Sequence, residues 1–292
     1  MSEPKLYFYV GISGSGKTYK AYEMHGEDAV IIDSDQTREK LLGDATRQDQ
    51  NARVFEHMYR ETCECLSRGV SVCYVATNLS AKHRISFLKN IHKRFPDLEC
   101  ICYIINTPIE LCYKHNSDRA RTVPDYVIGR QLQSFQVPCE TEGWSRIETI
   151  DNFIVKEEYR EYTVMKVMKF GSQQNKHHSL SLIDHCTACG RLAEEKDYDN
   201  TLQQAAYIHD YGKIYTAVRW PDKDDDLHYP NHAQVGAYLA LNMGYSLRVA
   251  QLVGAHMYPY ASECEQKVWR VRFGEELWND VLKLHELDVG AH

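Results

Sequence analysis

This sequence has little of several things. No stretch approaches the roughly 18 consecutive apolar residues that a bilayer-spanning helix needs, so no membrane span or membrane partner is expected. The opening residues lack the charged, apolar and small-residue series of a secretion leader. Positive charge is scarce, with 34 Lys and Arg against 41 Asp and Glu and a net charge of −7. The balance is 19 basic to 21 acidic residues up to residue 155, then 15 to 20, which argues against a non-specific nucleic-acid binder in either half. A nucleic-acid substrate would be gripped locally, at an end, by a few arginines. The ten cysteines stand as singles and close pairs (Cys63/Cys65, Cys100/Cys102, Cys186/Cys189) inside regular-looking segments. A secreted disulfide framework is short, loop-rich and dense in cysteine, so a reduced, cytoplasmic protein is expected.

At 292 residues the chain is long for one core and comfortable for two. Residues 6–10 are an apolar, aromatic-rich run that reads as a buried strand, and it feeds into a glycine-rich loop and a helical stretch from Lys17. Apolar runs at 29–32, 70–75 and 100–105 alternate with amphipathic stretches such as 52–68 and 81–94, the pattern of a parallel α/β sheet, and 144–153 adds a last strand. The texture changes near residue 160. Beyond it lie helical patterns at 181–194, 202–209, 232–242, 246–257 and 275–287, with nine of the fourteen histidines. The expected domains are therefore an α/β domain over 1–160 and an all-α domain over 161–292.

Gly11-Ile12-Ser13-Gly14-Ser15-Gly16-Lys17-Thr18 satisfies GxxxxGK[ST] between a strand and a helix, the context that the phosphate-binding P-loop requires. Its backbone N–H groups can face phosphate, the helix terminus adds partial positive charge, Lys17 reaches the β/γ oxygens, and Thr18 can ligate Mg²⁺. ATP, or another NTP, with Mg²⁺ is the expected ligand. Asp33-Ser34-Asp35-Gln36-Thr37-Arg38 follows the second strand, so its carboxylates belong at the sheet edge where ligands sit in open α/β folds. Asp35 can take the proton of an attacking hydroxyl and Arg38 can clamp an acceptor phosphate. Arg119 and Arg121, in a turn-like segment, suit a lid over a transferring phosphoryl group.

These elements together (Gly11 to Thr18, Asp35-x-x-Arg38, Thr77-Asn78-Leu79 with Arg84, Asn116-Ser117-x-Arg119, Val123-Pro124 and Arg130) resemble the kinase domain of phage-type 5′-polynucleotide kinases over about residues 5–155. The resemblance implies that Asp35 is the general base for a 5′-hydroxyl, Arg38 binds the neighbouring phosphate, and Arg119, with Arg121 as a second candidate, contacts the ATP phosphates. One position departs from the pattern. Ala76 stands where such kinases often carry aspartate, so no contact is assigned there.

Downstream, His185, His209-Asp210, His232, His256 and Asp288 recur on successive helical patterns. Mixed imidazole and carboxylate donors suit a borderline divalent ion, Mn²⁺, Fe²⁺, Co²⁺ or Ni²⁺. The run Ala205-Ala206-Tyr207-Ile208-His209-Asp210-Tyr211-Gly212-Lys213 resembles the signature of the HD phosphohydrolase superfamily, over about residues 170–292. That resemblance implies one metal on His185, His209, Asp210 and Asp288. His232 and His256 hold a second through Asp210 or bind the scissile phosphate, and Lys213 faces a phosphate oxygen. Asp288 is preferred to Asp280 as the last ligand. Gln174, Asn175 and His178, just before the first ligand, either line the pocket or start a helix. Cys186 and Cys189 read as packing residues.

One site to add a phosphoryl group and one to remove it point to an end-healing enzyme: a polynucleotide 5′-hydroxyl kinase joined to a 2′,3′-cyclic or 3′-phosphate phosphohydrolase. RNA ends are favoured over DNA ends because ribonucleolytic breaks leave that pair of termini, and a separate ligase would act afterwards. Two other readings stay open, a nucleoside or nucleotide kinase joined to an HD nucleotidase and an ATP-gated regulatory HD protein. The sequence leaves the oligomeric state open, a homo-oligomer included.

Overall fold

The computed structural model describes residues 3–119, 121–153, 156–174, 180–220 and 226–291. They divide into two compact units, 1–123 with 142–152, and 124–141 with 153–292. The first holds β1 (Lys5–Val10), α1 (Lys17–His25), β2 (Ala29–Asp33), α2 (Ser34–Leu42), α3 (Asn51–Ser67), β3 (Ser71–Val75), α4 (Ala81–Arg94), β4 (Glu99–Asn106), α5 (Ile109–Ser117) and β5 (Arg146–Asp151). The five strands form one parallel sheet in the order β2-β3-β1-β4-β5. β4, buried along seven of its eight residues, reads as a continuous apolar run because both faces of a parallel sheet are covered. The α/β fold expected of the N-terminal part is the observed one, and its strands lie where the apolar runs placed them.

A buried ion pair braces this unit beside the glycine loop. Arg84 on α4 donates from Nε and Nη2 to the two carboxylate oxygens of Glu142, both at 2.7 Å, with both side chains wholly out of solvent. Its Nη1 donates to the carbonyls of Asn78 and Leu79 at 3.0 and 2.9 Å, and the Trp144 indole N–H donates to Glu142 Oε2 at 3.1 Å. Asn78 adopts φ 52° and its side-chain amide donates to the Tyr9 carbonyl at 2.7 Å, while the Gly11 N–H donates to the Thr77 carbonyl at 3.1 Å. Arg84, one of the residues that carried the kinase resemblance, is thus a brace that holds the turn after β3 against the start of the loop.

The second unit holds α6 (Asp125–Gln133), α7 (Lys156–Phe170), α8 (Leu182–Glu195), α9 (Asn200–Ile208), α10 (Lys213–Thr216), α11 (His232–Asn242), α12 (Leu247–Ala255) and α13 (Glu263–Gly290). Among the described residues it is helical apart from the two-residue antiparallel pair β6 (Val218–Arg219) and β7 (Leu227–His228) and an isolated bridge between Ser172 and Ser181. The boundary expected near residue 160 falls inside α7, and α6 with Arg130 belongs to this unit. Ser181, Asp199, Ser246 and Ser262 cap α8, α9, α12 and α13 through their side-chain oxygens. α11 is buried at ten of its eleven residues, as a central helix must be. A Cβ on Gly212 would lie 2.0 Å from the His232 carbonyl oxygen, so only glycine lets the segment after His209-Asp210 approach α11 this closely. α13 begins twelve residues before the pattern at 275–287 and is broken at Gly274 (φ 77°, ψ 164°). No described helix is long and apolar enough to cross a membrane.

Removing one partner of a buried pair strands the other charge. Glu142→Ala should therefore lower the stability of the first unit by about 3–5 kcal/mol, measured by chemical denaturation. The exposed Arg47–Asp49 pair should be replaceable without shifting the unfolding midpoint.

Candidate active sites

The glycine loop closes over the C-terminal end of β1. Gly14 and Gly16 take φ 81° and 86°, and a Cβ on Gly14 would lie 2.1 Å from the Cys112 carbonyl oxygen, so no side chain fits there. The Ser15 carbonyl accepts the Thr107 hydroxyl at 2.8 Å and the Asn152 amide at 3.1 Å, which pins the loop from the ends of β4 and β5. Gly16 caps α1 without a side-chain acceptor, leaving that helix N-terminus open to an anion. Lys17 folds back to donate to the Ile12 carbonyl at 2.8 Å. Burial pushes its ammonium down to about 8, against the opposing pull of Asp33 and Asp35. A cleft of about 430 Å³ opens at the loop, lined by Gly14, Gly16, Tyr19, His115, Arg119 and Asn152. Arg119 therefore reaches the cleft. Gly11 and Ser13 belong to the same loop, and Gly11 is held by its bond to Thr77.

Asp33 joins the two halves of this site. Its Oδ2 accepts the Thr18 hydroxyl at 2.7 Å, and its Oδ1 accepts the N–H groups of Asp35 and Gln36 at 2.8 and 3.1 Å, capping α2. One carboxylate thus ties the hydroxyl suited to Mg²⁺ to the backbone that presents Asp35. The Asp35 carboxylate accepts Arg38 Nη1 at 2.8 Å, and Arg38 Nη2 donates to Asn51 Oδ1 at 3.0 Å. Arg38 is buried, and its Nε has no hydrogen-bond partner. Arg121 is placed differently from Arg119: it donates to the Ala45 carbonyl, lies 4.0 Å from Asp35 Oδ2, and does not line the cleft.

In the second unit, four histidines converge. Nδ1 of His185, His209, His232 and His256 lies 2.7–2.9 Å from the carbonyls of Ala291, Ala206, Tyr229 and Val253. A carbonyl only accepts, so each Nδ1 carries the proton and each Nε2 is left for the centre. His185 and His209 place Nε2 at 3.1 and 3.3 Å from Asp288 Oδ1, and at 3.6 and 3.5 Å from Asp210 Oδ2. His232 and His256 place Nε2 at 3.1 and 3.6 Å from Asp210 Oδ1. These atoms form two donor groups sharing Asp210, namely His185, His209, Asp210 and Asp288, and Asp210, His232 and His256. Asp280 lies elsewhere, paired with Arg248 and Lys283.

The donor set fits divalent metal. His209 Nε2 is buried without a hydrogen bond, and the Nε2 atoms of His232 and His256 face each other at 3.2 Å. Two such nitrogens approach comfortably only with a proton or a cation between them. Although burial opposes both charged forms, the Asp210 charge holds His209 well above the usual imidazole range. Burial likewise opposes Asp210, yet Lys213 and His209 hold it well below the usual carboxylate range. A proton on His209 thus stands where a metal would bind.

A family model for an AAA domain matches residues 6–138, and one for an HD domain matches residues 177–289. The chain is a kinase-like P-loop domain fused to an HD domain. No curated protein matches it. Among solved structures it is similar to a chain of the Pnkp1/Rnl/Hen1 RNA repair complex, at 20% identity and a TM-score of 0.38 over 46% of this chain and 44% of that one. A second structure of that complex aligns at 23% identity, TM-score 0.34, over 42% and 41%. A gluconokinase from Sinorhizobium meliloti 1021 aligns at 16% identity, TM-score 0.36, over 53% and 86%. The chain thus spans less than half the length of the RNA repair chains it matches.

The fold places further residues at both sites. Asp33 and Asn51 join the P-loop site. Asp33 was legible as a carboxylate at a strand end, but its link to Thr18 was not, and nothing in the sequence marks Asn51. At the HD centre, Tyr260 donates to Asp288 Oδ2 at 3.0 Å. Gln173, not Gln174, is the buried glutamine before the first ligand; Gln174 lies on the surface with Arg219. Asn175 and His178 lie outside the described residues. Cys186 and Cys189 pack in the core, and burial pushes the Cys186 thiol up to about 12, leaving it unreactive.

Two proton-linkage outcomes are expected. Lys17 is charged below about 8 and increasingly neutral above it, so ATP binding should take up about half a proton near pH 8 and almost none near pH 6. Calorimetry in buffers of different ionisation heat reads this directly. Divalent metal at the HD centre must displace the proton held on His209, so Mn²⁺ binding should release protons and tighten as pH rises from 6 to 8. Affinity independent of pH over that range would contradict the protonated His209.

Proposed function

We propose that the chain heals nucleic-acid ends. Its P-loop domain transfers the γ-phosphoryl group of ATP to a 5′-hydroxyl, and its HD domain removes a 2′,3′-cyclic or 3′-phosphate. The observation that carries this reading is the pairing of Asp35 with a buried Arg38 whose Nε is unpartnered. A carboxylate beside a guanidinium with a spare donor suits an acceptor that offers a hydroxyl to a base and a neighbouring phosphate to a clamp. A simple nucleoside has only the hydroxyl.

In the kinase reaction Asp35 accepts the proton of the attacking hydroxyl, while Lys17 and Arg119 bind the transferring phosphoryl oxygens and Thr18 would hold Mg²⁺, which would neutralise phosphate charge. In the HD reaction His185, His209, Asp210 and Asp288 would hold one divalent ion, and His232 and His256 would hold a second with Asp210 or bind the scissile phosphate. A bound Mn²⁺, Fe²⁺, Co²⁺ or Ni²⁺ would supply a nucleophilic water near neutral pH and charge neutralisation at phosphorus. Lys213 binds a phosphate oxygen. RNA is the favoured strand, and a separate ligase joins the healed ends.

The test is mass spectrometry of a short RNA bearing a 5′-hydroxyl and a 2′,3′-cyclic phosphate after incubation with protein, ATP, Mg²⁺ and Mn²⁺. Gain of a 5′-phosphoryl group with loss of the terminal 3′-phosphate is expected. Asp35→Ala should reduce only the first by about a hundredfold or more, and Asp210→Ala should abolish only the second. Faster turnover of mononucleotides than of oligonucleotide ends would replace this reading with nucleotide metabolism.

A further inference from the structure

Gln173 stands in the loop between α7 and α8 and is fully buried. Its side-chain oxygen accepts the Lys213 ammonium at 2.7 Å, and that ammonium lies 2.5 Å from Asp210 Oδ2. An ammonium only donates, so the amide arm facing Lys213 is the oxygen and the other arm is the NH₂ group. That Nε2 is buried and has no hydrogen-bond partner. A buried donor left over beside a metal-binding centre calls for an acceptor that arrives from outside.

The backbone holds this side chain in place. Ser172 pairs with Ser181, the Leu182 N–H donates to the Gly171 carbonyl, and the Leu227 N–H donates to the Gln174 carbonyl, each N–H bond at 3.0 Å. The Tyr229 hydroxyl donates to the Gln173 carbonyl, and the Tyr229 ring centroid lies 5.3 Å from Lys213 Nζ. Lys213 therefore reaches the centre from a buried helix start, and a braced loop holds Gln173 against it.

We propose that Gln173 Nε2 donates to a non-bridging phosphate oxygen of the HD substrate and forms, with Lys213, a two-armed anion cradle. This rests on the phosphohydrolase reading above. The ligand class is a terminal phosphate ester or cyclic phosphate, because an amide and an ammonium side by side match two acceptor oxygens on one tetrahedral group. A neutral amide also limits how tightly inorganic phosphate is held. With divalent metal bound, the centre would already carry metal charge beside the Lys213 ammonium, and a further fixed charge would slow product release.

The test uses the full chain, Mn²⁺, and inorganic phosphate as probe, with binding read by calorimetry and folding by thermal melting. Gln173→Glu keeps an oxygen for Lys213 and replaces the NH₂ donor by an acceptor. Gln173→Met keeps the volume and removes both polar atoms. Both variants should bind Mn²⁺ within about threefold of wild type and bind phosphate at least about tenfold more weakly, the scale of one hydrogen bond to a charged group, with Gln173→Glu the weaker. Wild-type phosphate affinity in Gln173→Glu, with weakening only in Gln173→Met, would overturn the proposal and leave Gln173 as a support for Lys213. A wild-type protein that binds Mn²⁺ but no phosphate would overturn the phosphohydrolase reading and this inference together.

Discussion

Asp210 is buried with two oxygens facing different groups. Oδ1 meets His232 and His256, and Oδ2 meets His185, His209 and the Lys213 ammonium. A carboxylate taken out of water so completely is tolerable only where cations or hydrogen bonds surround it. The second unit is arranged to supply them. The close approach at Gly212 carries Asp210 against α11, the caps fix where α8 and α12 begin, and every imidazole is oriented by a carbonyl on its far side.

The P-loop unit solves a comparable problem with backbone. A P-loop meets phosphate with N–H groups that cannot be chosen by sequence, only aimed by the chain path. Hence the positive φ at Gly14 and Gly16, the contact with Cys112 that excludes a side chain, and the bonds from Thr107 and Asn152 that set the Ser15 carbonyl. Arg84 and Glu142 stiffen the neighbouring turn from inside the core. Asp33 then connects the loop to the start of α2 through a single carboxylate. The loop and the Asp35–Arg38 pair thus both depend on residues that support them from behind.

Several elements were legible because local rules decide them. The strands follow apolar runs that a parallel sheet buries on both faces, and α4 and α11 keep the limits their periodicity predicted, since packing and propensity agree there. α7 was not legible. Its charged first turns and apolar later ones read as two textures, yet one helix spans both. The start of α13 was missed for the opposite reason: Ser262 and Glu265 form a capping box, but Gly274 interrupts the pattern that follows.

The sequence by itself determined the chemistry available at each site. The P-loop spacing, Asp35-x-x-Arg38 and the His185, His209-Asp210, His232, His256 series are readable because adjacency and helical spacing fix their types and order. Only the tertiary structure decided which of them meet. It brought Asp288 rather than Asp280 to the histidines, set Arg119 in the cleft and Arg121 beside Asp35, and buried Gln173 against Lys213. Those choices turn on side-chain direction and on contacts between residues as much as 103 positions apart, as His185 and Asp288 are. A linear pattern specifies neither, because both are set by how packed helices close around a buried charge.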